Sequence, residues 1–217
     1  MKRASWFVVL GILAVAAAMP AKAQDKKEVQ GYVAGGYVLP EGKADDYLDG
    51  GWNISGGVIF RPRPDKPFGV RLDLGYSSMD ANQNALNLGN AADYLVDGGY
   101  MSLGNLTAEF MYEFGKSDGK VGGYIAAVGG GYRRYAALTA NVQQLGYICD
   151  PYWGCYYATY TGEQTLASDS LIKWGWSVAA GATFAVGSGQ LYLEARYHWM
   201  MSSPTTQILP ILIGYRF

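Results

Sequence analysis

Counted back from the carboxy terminus in steps of two, the chain reads Phe217, Tyr215, Ile213, Ile211 and Leu209, all large and apolar. The intervening positions, Arg216, Gly214, Leu212 and Pro210, are mixed and smaller. A period of two marks a strand with one greasy face. The same alternation recurs upstream, where Phe68, Val70, Leu72, Leu74 and Tyr76 interleave with Gly69, Arg71, Asp73, Gly75 and Ser77. Leu106, Ala108, Phe110, Tyr112 and Phe114 interleave with Asn105, Thr107, Glu109 and Glu113. Eight strands are expected, over residues 29–39, 52–61, 68–77, 104–114, 121–135, 173–186, 190–200 and 207–217. Gly31, Ala34, Gly35 and Gly36 blur the facing of the first. Pro210 lacks a ladder N–H, so either the last paired strand begins there or a bulge sits there. No convincing helical period appears between the strands.

The connections alternate in length. Residues 62–67, 115–120 and 187–189 are short and carry the Pro, Asp or Gly of tight turns. Residues 40–51, 78–103 and 136–171 are long, and 201–206 is modest. Strands of this length, greasy on one side, can cross a bilayer only as a closed barrel, with short turns inside and long loops outside. In that orientation Phe60, Phe68, Phe110, Phe114, Phe184 and Phe217 fall in the periplasmic half. Trp52, Trp174, Trp176 and Trp199 fall near the outer rim. Two aromatic girdles are what membrane interfaces favour, and a soluble sandwich gives no reason for the sorting. The expected fold is all-β, an eight-stranded antiparallel up-and-down transmembrane β-barrel.

The Phe-terminated alternation resembles small bacterial outer-membrane barrels of the OmpX/OmpA type, as does the penultimate segment Leu193-Glu194-Ala195-Arg196-Tyr197-His198. The resemblance implies a monomer in the outer-membrane lipid of a Gram-negative bacterium. It also implies that Ile213, Tyr215 and Phe217 form the assembly signal read by the barrel-insertion machinery.

The amino terminus fits the same compartment. Lys2 and Arg3 precede an apolar run, Trp6 to Ala18, and Ala21-Lys22-Ala23 reads as a cleavage site. The expectation is a secretory signal peptide over 1–23 and one barrel domain over 24–217. Loss of Lys2, Arg3 and Lys22 leaves 14 basic against 18 acidic residues, a net charge of −4. That balance argues against a nucleic-acid partner.

Charge collects on the inward register. Arg71, Asp73, Glu109, Glu194 and Arg196 lie at mid-depth, Arg61, Glu113 and Arg216 near the periplasm, and Arg133 and Lys173 near the outside. Such a set could be an ion path, but eight strands enclose little more than their own side chains. A paired network that fills the lumen is the expectation, with a narrow or gated pore as the alternative. His198 is the one histidine. Lipid A deacylases are eight-stranded barrels with a His-x-Ser-Asn motif, but here Met200 and Met201 follow Trp199, and His198 points inward. A lipid-modifying enzyme is therefore the weaker alternative, and no catalytic residue is expected.

Cys149 and Cys155 stand in the third long connection, and in an exported chain they read as a disulfide. Two thiols with no histidine nearby do not make a zinc site. Gly129-Gly130-Gly131 lies in a strand with no helix after it, so it is not a phosphate loop. No cofactor or metal is expected. Tyr152, Trp153, Tyr156 and Tyr157 surround the cysteines as a candidate contact surface for an extracellular partner. Alternatively these rings pack on one another and order the loop. The leading functional expectation is a non-enzymatic barrel with an envelope-structural or adhesion-like surface role.

Overall fold

The computed structural model describes residues 28–63, 66–91, 96–114, 121–152 and 154–217. The expected signal peptide, residues 64 and 65 of the 62–67 turn, the whole turn at 115–120, and Trp153 lie outside the described residues. Eight strands run in chain order: β1 Val29–Glu41, β2 Leu48–Phe60, β3 Phe68–Ala81, β4 Gly98–Phe114, β5 Val121–Asp150, β6 Gly154–Val186, β7 Gly189–Met200 and β8 Thr206–Arg216. Each pairs antiparallel with its neighbours, and β8 returns to β1 from Glu41↔Gln207 to Tyr32↔Arg216, closing the barrel. This is the expected architecture. Every strand but two ends within a few residues of the alternating apolar stretch that announced it.

Burial follows the pleat. Along β3, Arg71, Asp73, Ser77 and Met79 are buried, while Phe68, Leu72, Leu74 and Tyr76 are exposed. In a soluble protein that would be inside out; in a bilayer the exposed set faces lipid. At the outer girdle Trp52 packs against Tyr76 at 5.5 Å, and Trp176 stacks on Trp199 at 5.2 Å. At the periplasmic girdle Phe68 meets Tyr112 at 5.3 Å.

Four expectations need correction. Residues 136–171 are not a loop, because β5 and β6 continue through them as a two-stranded ribbon, paired from Ala140↔Gln164 to Asp150↔Gly154. Thr and Tyr crowd this stretch and favour extended backbone. No apolar stripe marks it, since neither face meets lipid or core. Second, the 78–103 connection holds a short helix, α1 (Gln83–Ala91). Asn82 caps it, its Oδ1 accepting the N–H groups of Asn84 at 3.0 Å and Ala85 at 3.2 Å.

Third, Pro210 neither starts β8 nor makes a bulge. Toward β1 it pairs with Val38 in an unbroken ladder. Toward β7 the pairing lapses between Ala195↔Ile211 and His198↔Ile208 and resumes in the same register. The missing N–H removes bonds locally without shifting the strand. Fourth, Arg133 lies on the outward face and is exposed; its neighbour Arg134 holds the inward position. Glycines 129–131 carried no facing signal, so the parity of β5 could not be read there. Lys173 keeps the inward register but is exposed at the rim.

Candidate functional site: the packed lumen and the stapled ribbon

The lumen is filled in layers, because inward side chains of neighbouring strands share a depth. Nearest the periplasm, Arg61 donates to Glu113 at 2.6 Å and to Gln30 Oε1 at 2.7 Å, and Arg216 reaches the same Glu113 oxygen at 2.8 Å. Above them Tyr32, Tyr124 and Tyr192 pack edge to face, with centroids 6.3 and 6.4 Å apart. Gly181 and Gly214 make room: a Cβ there would collide with the rings of Tyr124 and Tyr192. The Arg216 guanidinium lies 4.4 Å from the Tyr124 centroid and 5.1 Å from that of Tyr192.

At mid-depth the structure gathers Arg71, Asp73, Glu109, Glu194 and Arg196, all buried. Arg71 pairs with Glu109 and, at 2.6 Å, with Glu194. Arg196 Nη1 lies 2.8 Å from Asp73 Oδ2 and 3.1 Å from Glu109 Oε1, while its Nη2 lies 2.6 Å from Glu194 Oε1. Two guanidiniums facing three carboxylates leave lone pairs over. Neutral donors take them: Tyr32 Oη donates to Asp73, Tyr124 Oη to Glu194, and Asn105 Nδ2 to Asp73 at 3.0 Å. Counting Arg61, Arg216 and Glu113 as well, the filling holds four arginines against four carboxylates.

A neutral polar tier follows, where Asn53 Nδ2 donates to Ser77 Oγ at 2.8 Å. His198 Nδ1 sits 3.0 Å from the Tyr132 hydroxyl. Over it lies an apolar tier of Val38, Met79, Met101, Leu103, Tyr132, Met200 and Ile208. The interior thus changes from charged to apolar toward the outside. The tyrosine ring trio and the methionine tier were missed from sequence. The eight-residue spacing that puts Tyr124 and Tyr132 in one register across the glycines was their available signal, but glycine gave no facing.

The ribbon is the second candidate. β5 last meets β4 at Thr139↔Gly98, and β6 last meets β7 at Gly175↔Met200. Eleven further β5–β6 pairs therefore continue past the last β4 and β7 partners, about 35 Å at roughly 3.3 Å per residue. Cys149 and Cys155 lie directly opposite near the tip and form a disulfide. Tyr147 faces Tyr157 across the ladder with rings 5.0 Å apart, and both are largely exposed, as is Leu145. Tyr152 at the tip is 93% exposed. Tyr156 belongs to the opposite face from Tyr157, so the sequence-predicted aromatics do not form one surface. No lysine, arginine or histidine occurs between residues 135 and 172, whereas Asp150, Glu163 and Asp169 do.

The terminal strand is tied into the closure. The Phe217 N–H donates to Gly31 O at 3.0 Å, and its ring covers Gly31. Tyr215 Oη donates to Val186 O at 3.2 Å, and Ile213 is exposed on the outward face.

The model of the outer membrane protein beta-barrel domain family matches residues 9–217. No curated protein sequence matches the chain. Among solved structures, the Neisserial surface protein A (NspA) is similar, with a TM-score of 0.51 and 14% identity over 87% of this chain and 94% of that one. Ail of Yersinia pestis, solved with the heparin analogue sucrose octasulfate, gives 0.46 and 14% over 88% and 100%. OprG of Pseudomonas aeruginosa gives 0.45 and 12% over 90% and 99%. With the lipid-facing band and the closed ladder, the match settles the compartment: the chain belongs to the outer membrane protein β-barrel family and is an eight-stranded barrel of the Gram-negative outer membrane.

Proposed function

We propose that the protein is a non-enzymatic, monomeric surface-interaction barrel, which presents the β5–β6 ribbon to an extracellular partner from a closed base. The observation that carries the reading is the ribbon itself, a disulfide-stapled projection with exposed Tyr147, Tyr157 and Leu145 on one face. Tyrosine offers large contact area at small entropic cost, and aromatic anchors dominate binding surfaces. Two acids, Asp150 and Glu163, and no base make the ribbon a poor match for a sulfated or phosphorylated polyanion. An uncharged or cationic partner, such as a neutral glycan or a basic protein patch, suits it better. The charged and methionine tiers support a base that does not conduct. The burial of His198 against Tyr132 supports the absence of catalysis. Export with cleavage after Ala23, and reading of Ile213, Tyr215 and Phe217 by the insertion machinery, complete the proposal.

The test is adhesion of cells displaying the protein to panels of neutral glycans and extracellular proteins. Tyr147→Ser/Tyr157→Ser should reduce adhesion at least tenfold at unchanged surface display. Full adhesion by the double variant would remove the ribbon from the function.

A further inference from the structure

The barrel does not end at its methionine tier. Directly above it the β1–β2 connection, α1, β4, β5, β6 and the last extracellular connection surround a cavity of about 440 Å³ that opens outward. That volume lies in the range of small-molecule sites. Six alanines contribute to the wall, and their short side chains leave the space open; Tyr47, Leu48, Tyr100 and Met101 add apolar surface. Met101 also belongs to the apolar tier beneath, so the cavity has a sealed floor.

Its charged groups are two cations, Lys43 and Arg134, and one anion, Asp169. Arg134 is incompletely satisfied. Its Nη1 donates to Thr206 Oγ1 at 3.1 Å, and its Nη2 reaches Asp169 Oδ2 at 3.4 Å, a carboxylate that is itself 69% exposed. Its Nε is buried with no acceptor among the described residues. A buried donor without an acceptor is costly, and a guanidinium presents its donors in a fork that matches a carboxylate. An apolar wall with one under-used guanidinium and a second cation at the rim calls for a ligand with one anionic end and one greasy end. The sealed floor makes the cavity a receptor and not an entrance.

We propose that this extracellular vestibule binds a small single-chain anionic amphiphile, a carboxylate on a medium-length hydrocarbon, with Arg134 and Lys43 receiving the carboxylate. The inference is independent of the ribbon's partner. It is tested with the full mature protein in phospholipid nanodiscs, using 11-(dansylamino)undecanoate as probe and empty nanodiscs as the blank. The expected result is saturable fluorescence enhancement beyond the blank, displaced by decanoate and not by decylammonium. Arg134→Gln should weaken binding at least tenfold, and Ala85→Trp, on α1 outside the barrel wall, should abolish it by filling the cavity. If Arg134→Gln fails to assemble, the Ala85→Trp variant and the decylammonium competition carry the test. Enhancement no greater than the blank, equal displacement by decylammonium, or undiminished binding by both variants would overturn the proposal. So would binding lost in Ala85→Trp but kept in Arg134→Gln, which would mean occupancy without recognition of the anion.

Discussion

Arg196 touches Asp73, Glu109 and Glu194 at once, so its removal leaves three buried carboxylates with Arg71 alone. Breaking a buried pair from one side costs about 3–5 kcal/mol, because the remaining charge cannot reach water. Arg196→Met is therefore expected to destabilise the barrel by about that much, read as a lower urea midpoint in lipid vesicles. Arg134 is also an inward arginine with one acidic partner, but Asp169 is mostly exposed, and pairs of that kind contribute about 1 kcal/mol or less. Arg134→Gln should shift the same midpoint only slightly. Equal shifts for the two arginines would mean that the mid-depth cluster is not acting as one buried network.

At the scale of elements, the ribbon and the wall are held by different forces. The wall is closed by its ladder and surrounded by lipid, while the ribbon tip has its own pairing and Cys149–Cys155. Closure of so short a loop stabilises by about 2–3 kcal/mol in the chain-entropy description. Cys149→Ser/Cys155→Ser should leave assembly unchanged and speed external proteolysis between Tyr147 and Tyr160; a variant that no longer inserts would show that the tip belongs to the folding core. Deletion of Phe217 should act in the opposite way. Its N–H and ring are both engaged on Gly31 at the β8–β1 seam, so the truncated chain should be exported but reach the outer membrane in reduced amount. Normal levels with unchanged heat resistance would contradict a role in assembly.

The legibility of these elements in the sequence followed the same division. Phe217 to Leu209 and Phe68 to Tyr76 could be read because lipid on one side and packed side chains on the other impose a strict alternation. Arg71, Asp73, Glu109, Glu194 and Arg196 could be assigned to one depth for the same reason. Past the bilayer that constraint stops, and the paired backbone from Ala140 to Asp150 looked like loop. Glycines hid the facing of Arg133, and α1 was too short to show a period, although Asn82 was available as a cap. The vestibule was illegible because its walls come from connections far apart in the chain.

At the scale of the whole molecule, lipid surrounds the wall, charge of both signs fills the lower lumen, and methionine and leucine seal the upper. Four guanidiniums and four carboxylates neutralise one another across strands far apart in sequence, as Arg71 and Glu194 show. What remains free to meet other molecules lies outside the membrane. The most direct test is planar-bilayer conductance of the purified mature protein across a range of voltages. The layered lumen predicts no steady open level above the bare membrane. A stable, reproducible single-channel conductance from the intact protein would contradict the closed base and put the gated pore in place of the surface-interaction reading.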